Sequence, residues 1–250
     1  MGNCRFLYNN QWKSGTLTAN TENSAFPKEN TRHRWFTKTY RSTDASAEWL
    51  KINRGTNVRT PAIQAVAIRF NNFLSGATAR FEWETSDTFP PAVGQRYTCS
   101  INNKLIVGFL DGAKGYQWWR LYLNDTTSYI ELGYVFMGPY FEPSRNRNIP
   151  EEETPIDPSL MNRSEGGQLS SVIRDQLLQK AISFEHLTAT DKANFDDMFA
   201  TVGIHDNIIY VDDSALPMTT SLFCRIAEFK WDRDKGSMLW NLRLGLEEQL

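Results

Sequence analysis

Cysteine and histidine are both scarce in this chain, and neither is spaced for chemistry. Cys4, Cys99 and Cys224 are the only cysteines in 250 residues, and they stand far apart. No Cys-x-x-Cys or Cys/His ligand spacing occurs, so a structural zinc site is not expected. An odd count argues against a disulfide scaffold and fits reduced thiols in a protein made in a cytoplasm. His33, His186 and His205 complete the histidines, and none lies in a recognisable nucleophile context. Long apolar runs are missing too. Nothing approaches the roughly 20 residues of a membrane helix, so no membrane insertion is expected. The opening residues 1–10 lack the charged-then-apolar order of a signal peptide. Nor does one sign of charge prevail: 27 basic residues face 29 acidic ones, with a net charge of −2. A phosphate-backbone binder shows a basic excess, so no nucleic-acid partner is expected. The one basic cluster, Arg32, His33 and Arg34 with Lys38 and Arg41 beyond, reads as a solvated strand edge.

What the chain has in quantity is aromatic side chain: eight Trp, nine Tyr and fifteen Phe. Aromatics suit half-buried, pleated surfaces, which points to strands. Ala65 to Phe70 is a compact strand run. From Ala79 to Glu84 the pattern alternates, with Ala79, Phe81 and Trp83 on one side and Arg80, Glu82 and Glu84 on the other. That period of two marks a strand with one buried face. Leu105 to Leu110, Trp118 to Leu123 and Tyr129 to Met137 follow, with the turn-rich 124–127 between the last two. Short strands at this spacing imply an antiparallel sandwich.

A break follows. Between Glu142 and Arg163 lie Pro143, Pro150, Pro155 and Pro158, together with Glu151, Glu152 and Glu153. Each proline removes a backbone donor and restricts its predecessor, so neither a helix nor a central strand is expected. The segment reads as an extended linker or arm, or as a plain surface loop. Beyond it, Thr188 and Asp191 form a capping pair ahead of Phe195, Met198, Phe199 and Val202, a helical stripe that ends at Gly203. Strands are expected at Ile208 to Val211, Phe223 to Trp231 and Met238 to Leu246. The last two flank the charged turn 232–236 and read as a hairpin. In the first of them Phe223, Ala227, Phe229 and Trp231 fall on one side, and Arg225 breaks the pattern. In the second Met238, Trp240, Leu242, Leu244 and Leu246 share a face. The organisation expected is a sandwich over 1–142, a linker or arm over 143–161, and a smaller sheet with one packed helix over 162–250.

No catalytic set stands out. There is no Gly-x-Ser-x-Gly, and Gly166-Gly167 lacks the spacing of a nucleotide loop. The acidic pairs Glu151/Glu152, Asp196/Asp197, Asp212/Asp213 and Glu247/Glu248 are sequence neighbours that point different ways, so they read as solvated rather than as a glycosidase pair. Of Trp118 and Trp119, one must face the core. The other reads as core or interface more readily than as a ligand platform. No catalytic, cofactor-binding or metal-binding residue is assigned, and no ligand-binding residue is named.

The first part of the chain resembles the discoidin-like, galactose-binding-fold sandwich. The resemblance runs through 45–50 (ASAEWL), 62–70, 81–85 (FEWET), 119–121 (WRL), 130–133 (IELG) and 136–138 (FMG), and covers roughly 6–141. The whole chain is similar to tailed-phage virion proteins that carry such a sandwich before a smaller β-rich assembly domain. Here the telling stretches are 119–121 with 129–133 and 138–143, then 164–168 and the 187–203 helix unit, with 23–30 matching the opening. The resemblance implies a structural component of a phage tail, at the tail tip, baseplate or a tail-associated ring. Other virion proteins and a homo-oligomeric ring would be its partners, with the protein made in the host cytoplasm. The alternative is a carbohydrate-binding module that recognises a host-surface glycan. A hydrolase with a site assembled from distant residues is a further rival.

Overall fold

The computed structural model describes residues 2–249 apart from 36, 56–59, 91–93, 103, 149–151, 164, 166–168, 174–175 and 234–237. The chain divides into two compact units, Met1–Phe141 with Val211–Ser221, and Glu142–Tyr210 with Leu222–Leu250. The fold is mainly β.

Unit 1 contains β1 (Arg5–Leu7), β2 (Thr16–Ala19), β3 (Tyr40–Arg41), β4 (Glu48–Asn53), β5 (Ile63–Arg69), β6 (Thr78–Glu84), β7 (Arg96–Thr98), β8 (Leu105–Lys114), β9 (Trp118–Asn124), β10 (Glu131–Leu132) and β11 (Val135–Gly138). Strands β2-β4-β9-β6-β7 form one sheet and β11-β5-β8 another, with antiparallel pairing throughout both. The period-two pattern is what fills the space between them. In β9, Trp119, Leu121 and Leu123 are buried while Trp118, Arg120 and Tyr122 face the other way. Register then stacks like against like. Leu121 lies opposite both Leu50 and Phe81, and Trp119 lies opposite both Ile52 and Trp83. The Trp83 and Trp119 rings meet at 5.2 Å. The second sheet adds Val66, Ile68, Ile106, Val135 and Met137 to the same core. This is a sandwich closed by side chains from both inner faces.

The expected single strand from Tyr129 to Met137 is two strands. β10 pairs with β3, and β11 pairs with β5. Gly133 lies at the change of partner, where a Cβ would sit 2.7 Å from the Arg69 carbonyl oxygen. Only glycine lets the backbones approach so closely.

Unit 2 contains β12 (Glu152–Ile156), β13 (Leu160–Arg163), β14 (Leu169–Val172), β15 (Leu177–Leu187), helix α1 (Ala189–Val202), β16 (Asn207–Val211), β17 (Ser221–Arg233) and β18 (Trp240–Glu248). The strands run in the order β16-β17-β18-β15-β12, and β13 and β14 pair with each other. The expected linker over 143–161 is therefore partly strand. Glu152–Ile156 pairs with β15 at the sheet edge, the one place where Pro155 costs no ladder bond. Pro150 and Glu151 lie outside the described residues, as do the Gly166-Gly167 pair, Ser164 and Gln168 of the virion-like stretch, and the 234–237 part of the charged turn.

Two further expectations are corrected in the β17–β18 hairpin. A bulge between Ile226 and Glu228 shifts the register, so Ala227 is exposed rather than on the apolar side. Ile226, Phe229 and Trp231 instead lie opposite Leu246, Leu244 and Leu242. Met238 stands before β18 and is 85% exposed, so the strand's apolar face begins at Trp240.

Helix α1 begins with a complete capping box. Thr188 Oγ1 accepts from the Asp191 backbone N–H, and Asp191 accepts from the Thr188 N–H at 3.0 Å. Asp191 has a second task, since the Ser144 N–H and hydroxyl also donate to its carboxylate. Gly203 ends the helix with φ 56, and its N–H donates to the Phe199 carbonyl. Burial disfavours the charged Asp191 carboxylate, but the hydrogen bonds from Ser144 and Thr188 outweigh it and hold the pKa below the usual carboxylate range. Its stabilisation is therefore complete above the unfolded value near ~3.9 and is lost as pH falls through the lower folded value. Asp191→Asn is expected to lower stability by about 1–2 kcal/mol at neutral pH. It should also flatten the acid limb of a urea-stability profile; an unchanged limb would show that Asp191 is not its source.

Candidate functional site

Among the described residues of unit 1, Phe70 and Trp35 are the exposed aromatic side chains, and Trp35, the more exposed, stands on a loop with a fixed base. A 3₁₀ turn at Lys28–Arg32 starts that loop. Its base is tied down by side chains. The indole N–H of fully buried Trp12 donates to Thr31 Oγ1 at 2.9 Å, and Thr31 in turn donates to the Lys28 carbonyl. Asn30 Nδ2 donates to the Thr39 carbonyl, and Arg32 Nη2 to the Gly15 carbonyl, each at 2.8 Å. On the far side of the loop, Thr39 donates to Glu131, and Arg41 pairs with Glu131 at 2.9 Å. The Arg41 guanidinium is also held between the Phe26 and Tyr129 rings, at 4.2 and 4.4 Å. Arg41 is thus committed to holding the loop.

Between these anchors Trp35 stands 54% exposed. The His33 ring stacks beside it at 6.3 Å and 14°, and Lys38 Nζ lies 5.1 Å from the ring centroid. The Lys38 N–H closes a turn onto the Trp35 carbonyl. Partial burial, then the nearby Lys38 and Lys13 ammonium groups, hold the His33 pKa below the usual imidazole range. At neutral pH the imidazole is accordingly an uncharged hydrogen-bonding group. The arrangement presents a broad apolar ring flanked by ammonium and imidazole donors, above a hydrogen-bonded loop base.

The outer face of the five-stranded sheet also carries aromatics, but it is closed on itself. Lys51 Nζ lies over Trp49 and Trp118, at 5.1 and 5.4 Å, and pairs with Asp87 at 2.7 Å. Arg80 covers Tyr122, while Arg120 lies against Phe89 and binds Glu82. Trp119 is core, and Trp118, with Lys51 over its ring, is half-buried where Trp35 is exposed.

The remaining sequence candidates are spread apart. His186 is an exposed bulge residue with φ 57 whose N–H donates to Asn241. His205 is exposed beside the helix stop. Asp196 accepts from Trp231 Nε1 and Lys192, and Glu247 is bound by Arg225. Asp213 accepts from the Gly2 and Ala215 N–H groups, while Glu248 accepts from the Leu178 N–H. A polar hollow of about 270 Å³ on unit 2 is lined by Ser183, Glu185, Lys230, Asp232, Asn241 and Arg243. Among the described residues no group of three His, Cys, Asp or Glu is placed to hold a metal ion, and no helix is long and apolar enough to cross a membrane. Cys4, Cys99 and Cys224 are free and buried, and burial pushes the Cys99 thiol up to about 12.

The cluster Arg32–Arg34, expected on a solvated strand edge, instead ends the 3₁₀ turn at Arg32 and enters the loop at His33 and Arg34. A signal was present: RHRWFTK mixes bases and aromatics without alternation, and so fits neither strand nor helix.

No protein-family model matches the chain, and no curated protein matches it. Solved structures similar to its sandwich are carbohydrate-binding modules. One is the family 32 module of C. perfringens NanJ in complex with galactose, with 14% identity, 54% of this chain and 99% of that chain covered, and TM-score 0.42. A second is chitosan-binding module 1 of a Paenibacillus sp. IK-5 chitosanase/glucanase, with 15% identity, 53% and 100% covered, and TM-score 0.43. A third is the Streptococcus pneumoniae fucose binding module SpX-3, with 10% identity, 53% and 98% covered, and TM-score 0.40. These values are too low to carry ligands or residues across. Function is read from the chain's own side chains.

Proposed function

We propose that this protein is a non-catalytic saccharide-binding protein that makes its contact through the Trp35 loop. The observation that carries the reading is the exposed indole on a loop anchored by Trp12, Asn30 and Arg32. A sugar ring has a face of C–H groups that packs on an aromatic plane, and a rim of hydroxyls that needs donors and acceptors. Trp35 supplies the plane, and His33 and Lys38 supply the rim contacts. Because the loop base is already fixed, little binding energy is lost to ordering.

The test is a glycan-array screen of the full chain, followed by calorimetric titration of the strongest binder. Saturable binding is expected, and Trp35→Ala should weaken it about tenfold or more, equivalent to about 1.4 kcal/mol. No saturable ligand, or a Trp35→Ala variant that binds undiminished, removes the reading.

A second reading is assembly with other proteins, of which a phage tail is the case the sequence resemblance implies, and a different feature supports such a protein contact. The β13–β14 hairpin pairs with no other strand among the described residues, and Met161, Val172 and Ile173 are 71%, 56% and 86% exposed. An isolated hairpin is marginal in water, and exposed apolar side chains on one suit a protein contact. Light scattering on the titration sample separates the two, since a ring-sized mass supports assembly and a monomer counts against it.

A further inference from the structure

We infer that the Trp35 loop selects acidic saccharides, ligands that carry a carboxylate or sulfate beside the sugar that packs on the indole. The inference rests on the saccharide-binding reading and adds the charge class of the ligand.

The observation is a concentration of positive charge in a chain whose net charge is −2. From residue 30 to residue 43 there is no Asp or Glu, while Arg32, Arg34, Lys38 and Arg41 all fall within that stretch. Two of these four are already engaged. Arg41 is bound by Glu131 and two rings, and Arg32 donates to the Gly15 carbonyl. Arg34 and Lys38 have no ion pair among the described residues. Of the two acids that border the stretch, Glu29 is turned to Lys28 at 3.5 Å and Asp44 accepts from the Ala45 and Ser46 N–H groups. A further cation arrives from the 3₁₀ turn Gln11–Lys13. Lys13 lies over Tyr134, and its charge reaches His33 together with that of Lys38.

Like charges gathered at one place repel one another, and a fold gains nothing from that repulsion unless an anion answers it. Here Lys38 stands against the ring of the most exposed tryptophan in the chain, and His33, which the Lys13 and Lys38 charges both reach, stacks beside it. A neutral sugar would use the ring and leave the charge unanswered. A uronate, sialate or sulfated sugar uses both. The groups are solvent-facing, so their attraction is of the screened kind. It should fall as ionic strength rises and the Debye length shrinks from about 10 Å at about 0.1 M salt.

The experiment titrates the full chain with three probes: oligogalacturonate, sulfated galactan oligosaccharide, and a neutral galacto-oligosaccharide of the same length. Each is measured at about 50 mM and about 300 mM NaCl. At low salt at least one acidic probe should bind about tenfold tighter than the neutral one. That preference should shrink to a few-fold at high salt and in the Lys13→Gln/Lys38→Gln variant. Trp35→Ala should weaken acidic and neutral binding alike. Equal affinity for charged and neutral probes overturns the charge class but leaves saccharide binding standing, provided Trp35→Ala still weakens it. An acidic preference that survives the double variant unchanged overturns the assignment to these lysines. If no saccharide binds at all, both readings fall. A mixed-sequence oligonucleotide that binds tighter than either acidic probe replaces the inference with a nucleic-acid surface.

Discussion

Arg120→Ala is expected to destabilise unit 1 by about 3–5 kcal/mol, toward the lower end of that range. The residue it abandons is Glu82. Glu82 lies on the outward side of β6, yet only 2% of its side chain is exposed. Register places it directly opposite Arg120 on β9. Arg120 Nη2 and Nε reach the same carboxylate oxygen at 2.5 and 2.7 Å, and the Phe89 ring lies 4.6 Å from the guanidinium carbon. Deleting the arginine leaves a carboxylate that has lost both water and counterion, which is why breaking such a pair costs more than the pair contributes. Arg80, whose Nε is 3.7 Å from the other Glu82 oxygen, supplies partial compensation and sets the lower end of the range. Replacing both partners together, Glu82→Leu with Arg120→Leu, should recover most of the loss, because two desolvated charges are then exchanged for apolar volume. Urea midpoints of the single and double variants measure this. A single-variant loss below about 1 kcal/mol would mean that the Glu82 carboxylate reaches water and that the pair is a surface one.

Glu82 also marks the limit of what alternation can reveal. The period of two in β6 correctly placed Ala79, Phe81 and Trp83 in the core and Arg80, Glu82 and Glu84 opposite them. It could not tell that the opposite side was covered, because the cover is Phe89 and Asp87 from the following loop, folded back over the strands. The same holds at Ala227. Reading Phe223, Ala227, Phe229 and Trp231 as one face assumes an unbroken ladder. One extra residue between Ile226 and Glu228 moves Ala227 out and brings Ile226 into line with Phe229. Helix α1 was legible almost to the residue, because its cap, stripe and stop are local signals. That Ser144 shares the capping carboxylate was not, since the two lie 47 positions apart. Trp35 was hidden for a related reason. What makes it a candidate site is its exposure and the anchors beneath it, and both come from Trp12, Gly15 and Thr39, not from the loop's own sequence.

Phe195→Ala should cost unit 2 about 3–5 kcal/mol. A helix of 14 residues is marginal alone in water, so α1 persists through what its apolar stripe touches. Phe195 is fully buried, with its ring 5.3 Å from Phe184 on β15 and 6.1 Å from Trp231 on β17. It bridges two strands that are not neighbours, since β18 lies between them. Truncation opens a cavity walled by two large, rigid rings. Trp231 has little freedom to fill it, because its indole N–H is held by Asp196 at 2.8 Å and Lys192 lies over its ring. Sites that cannot collapse fall at the costly end of large-to-small series. Phe199 is a useful contrast. It stacks on Phe229 at 4.4 Å and 8° but is only half-buried, so Phe199→Ala should cost roughly half as much. Hydrogen exchange over residues 189–202 reports the same event locally. In Phe195→Ala the protection of those amides should fall toward that of a fraying helix, while in Phe199→Ala it should fall only in part. Equal losses in the two variants would show that the helix is held by its whole stripe rather than by Phe195.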